Sequence, residues 1–570
     1  MLIVLALAPL WLVGMFGRGL WTPDEPREAD IAWRMSLQRD RTLPQLAGTP
    51  FLEKPPLSYW MSAAAVSWLG DSARAMRTPN LLYAVIGALS VGALALAMQA
   101  DATAAVVAAL IALSALNAYR VVIWLAPDAC LLAASALALL GAWRGYHSPA
   151  GRSKATGYAL MHLGAALGFM AKSAPGWLVP ALALLTLIVW ERRWSELRRW
   201  ELYAGFALQA LIIGPWLLAV ARGADGAEAL RALFWHNVVG RFTRVASPAA
   251  LDYTGGHQNF PGKYFLELPL YLLPWTLVVA AALLRAWQRA RAPGPAGAPW
   301  RFALAASLPF LVLLSVAATA RDIYAAPTLL GFGLLAGLWA CEAGRSPGRA
   351  DRLALQLSRA LLGVIAWLLA GALLVFGASG AGSRLLCWPV ALAVIAGAHA
   401  ALWRTGRALR AGDLSRSFFW LYGGYASAVC LAALVTLPIV DRWQDLPALA
   451  RRVHADTASA ALALLDPDET TIAILDRGLN TRFMILTSGS VGAPRVVRDW
   501  FSAHGHEARI LVLLPGHAPG PLTPYLARLV PANVPDDGVA GRLVASGSAL
   551  LAQRYQLPHG RRYALLAPPS

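Results

Sequence analysis

Apolar runs of roughly 17–25 residues recur down most of this chain, and that is the length a helix needs to cross a bilayer. They lie near 2–20, 79–99, 102–118, 121–142, 157–171, 175–190, 202–221, 264–284, 302–319, 325–340, 354–378, 384–402 and 417–437. Only helices and closed barrels satisfy their backbone groups within lipid, and runs of this length are helical. The expected fold is therefore a polytopic α-helical membrane protein of about 13 transmembrane helices. Composition agrees: of 570 residues 58% are hydrophobic and 14% charged, with mean hydropathy +0.53. A soluble chain of this length would need far more polar surface to cover its core. Within 157–190, Lys172, Pro175 and Pro180 interrupt the pattern, which leaves two short spans or a re-entrant segment open.

The formal charge of +18 is explained by topology rather than by nucleic acid, because the basic residues sit in short segments between apolar runs. One set of alternate loops holds eighteen, among them Arg144, Lys154, Arg193, Arg285, Arg301, Arg345 and Arg404. The other set holds four: Arg120, Lys172, Arg321 and Arg384. The positive-inside rule makes the first set cytoplasmic. Cys130, Cys341, Cys387 and Cys430 lie in or beside apolar runs with no CxxC pair, which argues against a disulfide framework or a cysteine zinc site. Met1–Phe16 has no basic stretch before it and reads as a retained first span rather than a signal peptide.

This orientation divides the chain into a membrane domain, 1–437, and a C-terminal segment, 438–570, expected to form a small α/β domain on the outer side. Two longer loops, 21–78 and 222–263, fall on the same side. In the first, Pro23 and Asp24 mark a turn and a helix start. Ile31, Met35 and Leu37 alternate with Arg34, Gln38 and Arg39 as in a helix lying on the membrane surface, and Leu57–Leu69 reads as a second such element. Such a loop can be a mere interfacial linker. Asp24, Glu25, Arg27, Glu53 and Lys54, however, gather carboxylates and cations between turn-forming prolines. That mixture suits phosphate chemistry, in which cations hold a phosphate and a carboxylate orients or deprotonates an acceptor.

The pattern DExR at Asp24–Arg27, followed by FLEKPPLSYW at Phe51–Trp60, resembles the lipid A aminoarabinose transferases and their protein O-mannosyltransferase relatives, membrane glycosyltransferases of the GT-C class. The resemblance implies that Asp24 is the catalytic aspartate, with Asp128 of IWLAPDACLL, inside the fourth span, a second. It implies that Arg27, Lys54, Lys172 of FMAKSAPGW and Tyr324 of ATARDIYAAP hold the donor phosphate. Glu53 and His257 would ligate a divalent metal (Zn, Mg or Mn), with His236 a competitor for the histidine. For Asp128, Lys172 and Tyr324, a packing aspartate, a snorkelling lysine and an interfacial tyrosine are the structural alternatives. Two departures are visible. Residue 28 is Glu where the aminoarabinose transferases usually carry Tyr, and Arg321-Asp322-Ile323 replaces their lysine–proline arrangement before Tyr324.

The implied function is inverting transfer of a sugar, 4-amino-4-deoxy-L-arabinose in the nearest case, from a polyprenyl-phosphate donor to lipid A or another envelope acceptor. The place would be the periplasmic face of a bacterial inner membrane. Protein O-mannosyl transfer is one alternative, and a transporter or flippase of lipid-linked sugar another. A monomer is expected, and no nucleotide cofactor, since no Walker loop or Rossmann glycine pattern occurs in a suitable context. Nucleotide sugars do not reach an outward-facing loop, whereas a polyprenyl phosphate supplies both a membrane anchor and a leaving group. Against transport, the odd span count does not divide into two inverted halves.

Overall fold

The computed structural model describes all residues except 99, 240–258, 319–320, 480, 490–491, 517–535 and 570, and the side chains of 236–239 and 478. Among the described residues seven helices are long and apolar enough to cross a membrane, and up to nine if each of two bent pairs is one span. Two shorter apolar helices, α1 (Leu2–Phe16) and Pro175–Glu191, lie beside them. Each apolar run read from the sequence falls on one or two helices.

The expected fourth span is broken. Leu116–Ile123 bends 68° away from the preceding Ala102–Ser114, and residues 124–127 are not helical. Pro127 disfavours helix in the residue before it, so a new helix starts at Asp128. Asp128 is thus the first residue of the helix Asp128–His147, not an acid within a span. There its carboxylate meets the positive end of the helix dipole.

That helix packs along Arg152–Lys172 through small residues. A Cβ on Gly157 would come 2.3 Å from the Gly145 amide, one on Gly141 2.1 Å from the Met161 amide, and one on Gly164 2.5 Å from the Ala138 amide. Close backbone approach of this kind is how helices associate where lipid removes the hydrophobic drive. It sets Asp128, at the start of one helix, beside Lys172, at the end of the other. The ambiguous 157–190 region is two helices. Ser173, with φ 61°, reverses the chain, and Pro175 opens the next helix where its missing N–H costs nothing.

The first loop holds α2 (Glu25–Leu37) and α3 (Leu57–Leu69). Helix α2 is no surface helix: Glu25 through Ala32 are all buried, charged residues included. What covers it comes from the far end of the chain. After the helix Leu414–Gln444, residues to 567 form a five-stranded mixed sheet in the order Met484–Leu486, Ala461–Leu465, Ala508–Leu514, Arg562–Ala567, Leu550–Gln556. The first three strands run parallel and the last two pairings are antiparallel. Leu446–Asp456 and Glu469–Leu479 cover one face, and their core is continuous with Ile31, Met35, Phe51 and Tyr59 of the first loop. Ala493–His504 and Gly538–Ala545 cover the other. The apolar stretch Thr471–Leu475 lies in the helix that packs on α2.

Candidate active site

The chain leaves α1 through Arg18 to Trp21 and starts α2 with Asp24 at the cap and Pro26 in the first turn. Adjacent acids then face opposite ways. Glu25 is fully buried, paired with both Arg18 and Arg77, and accepts from the backbone amides of Trp21 and Leu125 at 2.9 Å. Burial raises its carboxyl pKa, but the Arg77 and Arg18 charges hold it below the usual range. A carboxylate so completely engaged fastens the loop to the membrane helices, and Glu25 leaves the list of chemical candidates.

Asp24 faces the site. Arg321 donates to its two oxygens at 2.7 and 2.6 Å, and Arg27 approaches to 3.4 Å. Burial raises its pKa, but the Arg321 hydrogen bond and the charges of Arg27, Arg321 and Lys54 hold it well below the carboxylate range. Arg27 donates to Glu28 at 2.6 Å and pairs with Glu469 of the C-terminal unit. Lys54, delivered by the turn before α3, donates to Glu28 at 2.7 Å. Arg27 and Lys54 flank one ring, Phe51, at 5.3 and 5.8 Å from its centroid.

A second cluster adjoins this one. Lys172 is paired with Asp128, and its ammonium lies 3.7 Å from the Tyr324 ring centroid. The Lys54 charge acts on both Asp24 and Lys172, and the Tyr324 hydroxyl on both Arg321 and Lys172. Asp24, Arg27, Lys54, Asp128, Lys172 and Tyr324, separated by up to three hundred positions, therefore share one site. It holds four cations, Arg27, Lys54, Lys172 and Arg321, each against a carboxylate.

The metal expectation fares differently. Glu53 is half-buried and interacts with Arg27 and Glu469. His257 lies outside the described residues, as does the side chain of His236. Among the described residues no group of three or more His, Cys, Asp or Glu could hold a metal ion.

Three participants were not singled out from the sequence. Arg321 and Glu28 stood out only as departures from the resembled pattern, yet one clamps Asp24 and the other takes both Arg27 and Lys54. Glu469 had no signal at all, because its link to Arg27 spans 442 positions.

A helical membrane body with a charged site in its first loop, closed by a mixed-sheet unit, is also the fold of a solved structure. The crystal structure of ArnT from Cupriavidus metallidurans bound to undecaprenyl phosphate has this fold, with a TM-score of 0.70 at 18% identity, covering 99% of this chain and 97% of that one. Residues 19–228 match the family model for dolichyl-phosphate-mannose-protein mannosyltransferase. Undecaprenyl phosphate-alpha-4-amino-4-deoxy-L-arabinose arabinosyl transferases are similar in sequence. The one from Pseudomonas aeruginosa is 29% identical over 351 residues, 59% of this chain and 58% of that protein. The one from Edwardsiella ictaluri is 31% identical over 280 residues, 49% of this chain and 48% of its own. The chain thus spans 58% or less of the length of these two curated relatives. Matched segment, relatives and fold together support the family that the first-loop motifs resemble, the lipid A aminoarabinose transferase and protein O-mannosyltransferase-like group.

Proposed function

We propose that this protein is an inverting membrane glycosyltransferase. It moves 4-amino-4-deoxy-L-arabinose from a polyprenyl-phosphate donor to lipid A at the outer face of a bacterial inner membrane. The names of its relatives support the donor and sugar, and the collection of basic loops away from the site supports the side.

The donor phosphate would lie among Arg27, Lys54, Lys172 and Tyr324. The three cations among these, Arg27, Lys54 and Lys172, are held in position by Glu28 and Asp128 before any ligand arrives. An acceptor oxygen forms a bond to the anomeric carbon from the face opposite the donor. The bond from that carbon to the phosphate oxygen breaks, and its electron pair leaves with the polyprenyl phosphate. Preorganised cations stabilise the charge that develops there. Glu53 would offer one carboxylate to a divalent metal, and Glu469 has a buried oxygen without a hydrogen-bond partner among the described residues. Two carboxylate side chains fall short of a metal site.

The observation that carries the assignment is the Arg321 clamp on Asp24. A carboxylate held that far below its usual pKa is a weak base but a firmly placed anion. It suits an acceptor that needs no deprotonation, as an ionised lipid A phosphate does. A hydroxyl acceptor on a protein would need its proton removed. The test offers the purified chain undecaprenyl-phosphate aminoarabinose or a polyprenyl-phosphate mannose, with lipid A or a serine peptide as acceptor. Pentose added to lipid A, at a rate flat from pH 6 to 8, is expected. Mannosylated peptide with lipid A untouched would reassign the substrate, and no product from any pair would reject transfer.

A further inference from the structure

The end of the bundle remote from Asp24 carries a cavity of about 560 Å³ that the proposed chemistry does not use. The helices Asp128–His147 and Pro175–Glu191 start near the Asp128–Lys172 pair and end at this cavity, His147 and Glu191 lining it. At about 1.5 Å per residue, the twenty residues of the first place it roughly 30 Å from the site.

Its charge is strongly positive. Arg193, Arg291 and Arg301 line it, and the one lining carboxylate, Glu191, is already engaged, accepting from Arg301 at 2.8 Å and the Tyr146 hydroxyl at 2.9 Å. Arg301 is equally engaged: it donates to the carbonyls of Ala290, Ala292 and Gly294 and so holds the loop that walls the cavity. Arg193 and Arg291 are different. The Arg193 guanidinium stacks over Tyr146 at 4.6 Å, and among the described residues its one ion pair is to Glu196, at 3.5 Å. Arg291 stacks over Trp287 at 4.5 Å, is exposed, and has no hydrogen-bond acceptor among the described residues. Two guanidinium planes are thus held by aromatic faces with donors to spare, the arrangement that receives a phosphate.

Position selects among phosphates. Trp190 in the cavity wall and Trp287 beside it are exposed, 44% and 67%, as tryptophans at a headgroup boundary are. Basic pockets between spanning helices at that depth take anionic lipid headgroups. We propose that this cavity is a binding site for the phosphate headgroup of an anionic phospholipid, with Arg193 and Arg291 its ligands.

The test uses the full chain in detergent and native mass spectrometry of retained lipid, with phosphatidylglycerol, phosphatidylcholine and inorganic phosphate as probes. Phosphatidylglycerol is retained in preference to phosphatidylcholine. Arg193→Gln with Arg291→Gln weakens that retention about tenfold or more. The same charge loss on the same end, by Arg198→Gln with Arg345→Gln, leaves it unchanged. Arg291→Gln alone, at an exposed position, carries the test if the pair fails to fold. Equal retention in both double variants, or an equal loss, overturns a defined site. Displacement of the lipid by millimolar inorganic phosphate would make it a small-anion pocket and overturn the lipid assignment.

Discussion

With two hydrogen bonds from Arg321 and a further cation at 3.4 Å, Asp24 enters any reaction as a fixed anion. Removing the clamp would free both its position and its proton. Arg321→Gln should raise the Asp24 pKa toward the ordinary range near 4, because Arg27 and Lys54 alone then oppose burial. A carboxylate needed as its anion loses activity as it protonates, so the acid limb of the rate profile should move to higher pH. Turnover measured from pH 4 to 8 checks this, and superimposable profiles would show that Arg321 does not set the charge of Asp24. The sequence made Asp24, Arg27 and Lys54 legible through their motif. It gave Arg321 and Glu28 only as departures, because a motif shows which residues recur and not which opposite charge the fold delivers to them.

Helix α2 is held from outside by the helix Glu469–Leu479, through Arg27 with Glu469, Arg34 with Asp476, and Thr470 donating to the Pro23 carbonyl. Asp30 sits inside this contact against Asp476. Burial, then the Asp476 carboxyl, push its pKa up to about 8, opposed by the Ala47 amide and Arg34. The folded state then keeps a proton that the unfolded chain releases near pH 4. The contribution of Asp30 to stability is therefore greatest below about pH 4, falls as pH rises to about 8, and is flat above. Asp30→Asn should remove that slope, so the variant gains on the parent in melting temperature between pH 5 and 9. An unchanged difference across that range would contradict a proton retained on Asp30 in the folded state. The membrane elements make a second prediction. Gly157→Val places carbon where the Gly145 backbone already lies and should destabilise the helix pair by about 1–3 kcal/mol. It should also cut transfer, because the same packing sets Lys172 beside Asp128. A melting curve and a rate on one sample read both, and full activity would separate the pair from the site.

Across the whole molecule, apolar run length and loop charge foretold a helical membrane body with a small α/β unit after it. Run length says nothing of where a chain bends between two apolar segments, so the break before Asp128 was not legible, although Pro127 marks it. The burial of α2 was not legible either. Its alternation of apolar and charged residues is what a membrane surface would also select, and its cover comes from more than four hundred residues away. The fold thus places one face of the C-terminal unit over the first loop and closes the site between them. The most direct test of a transferase built around Asp24 is the rate at which the purified chain adds aminoarabinose to lipid A from undecaprenyl-phosphate aminoarabinose, read by product mass, for the parent and Asp24→Asn. A parent that forms product and a variant slowed by about 100-fold or more is the expected result. Equal rates, or no product from the parent, would contradict it.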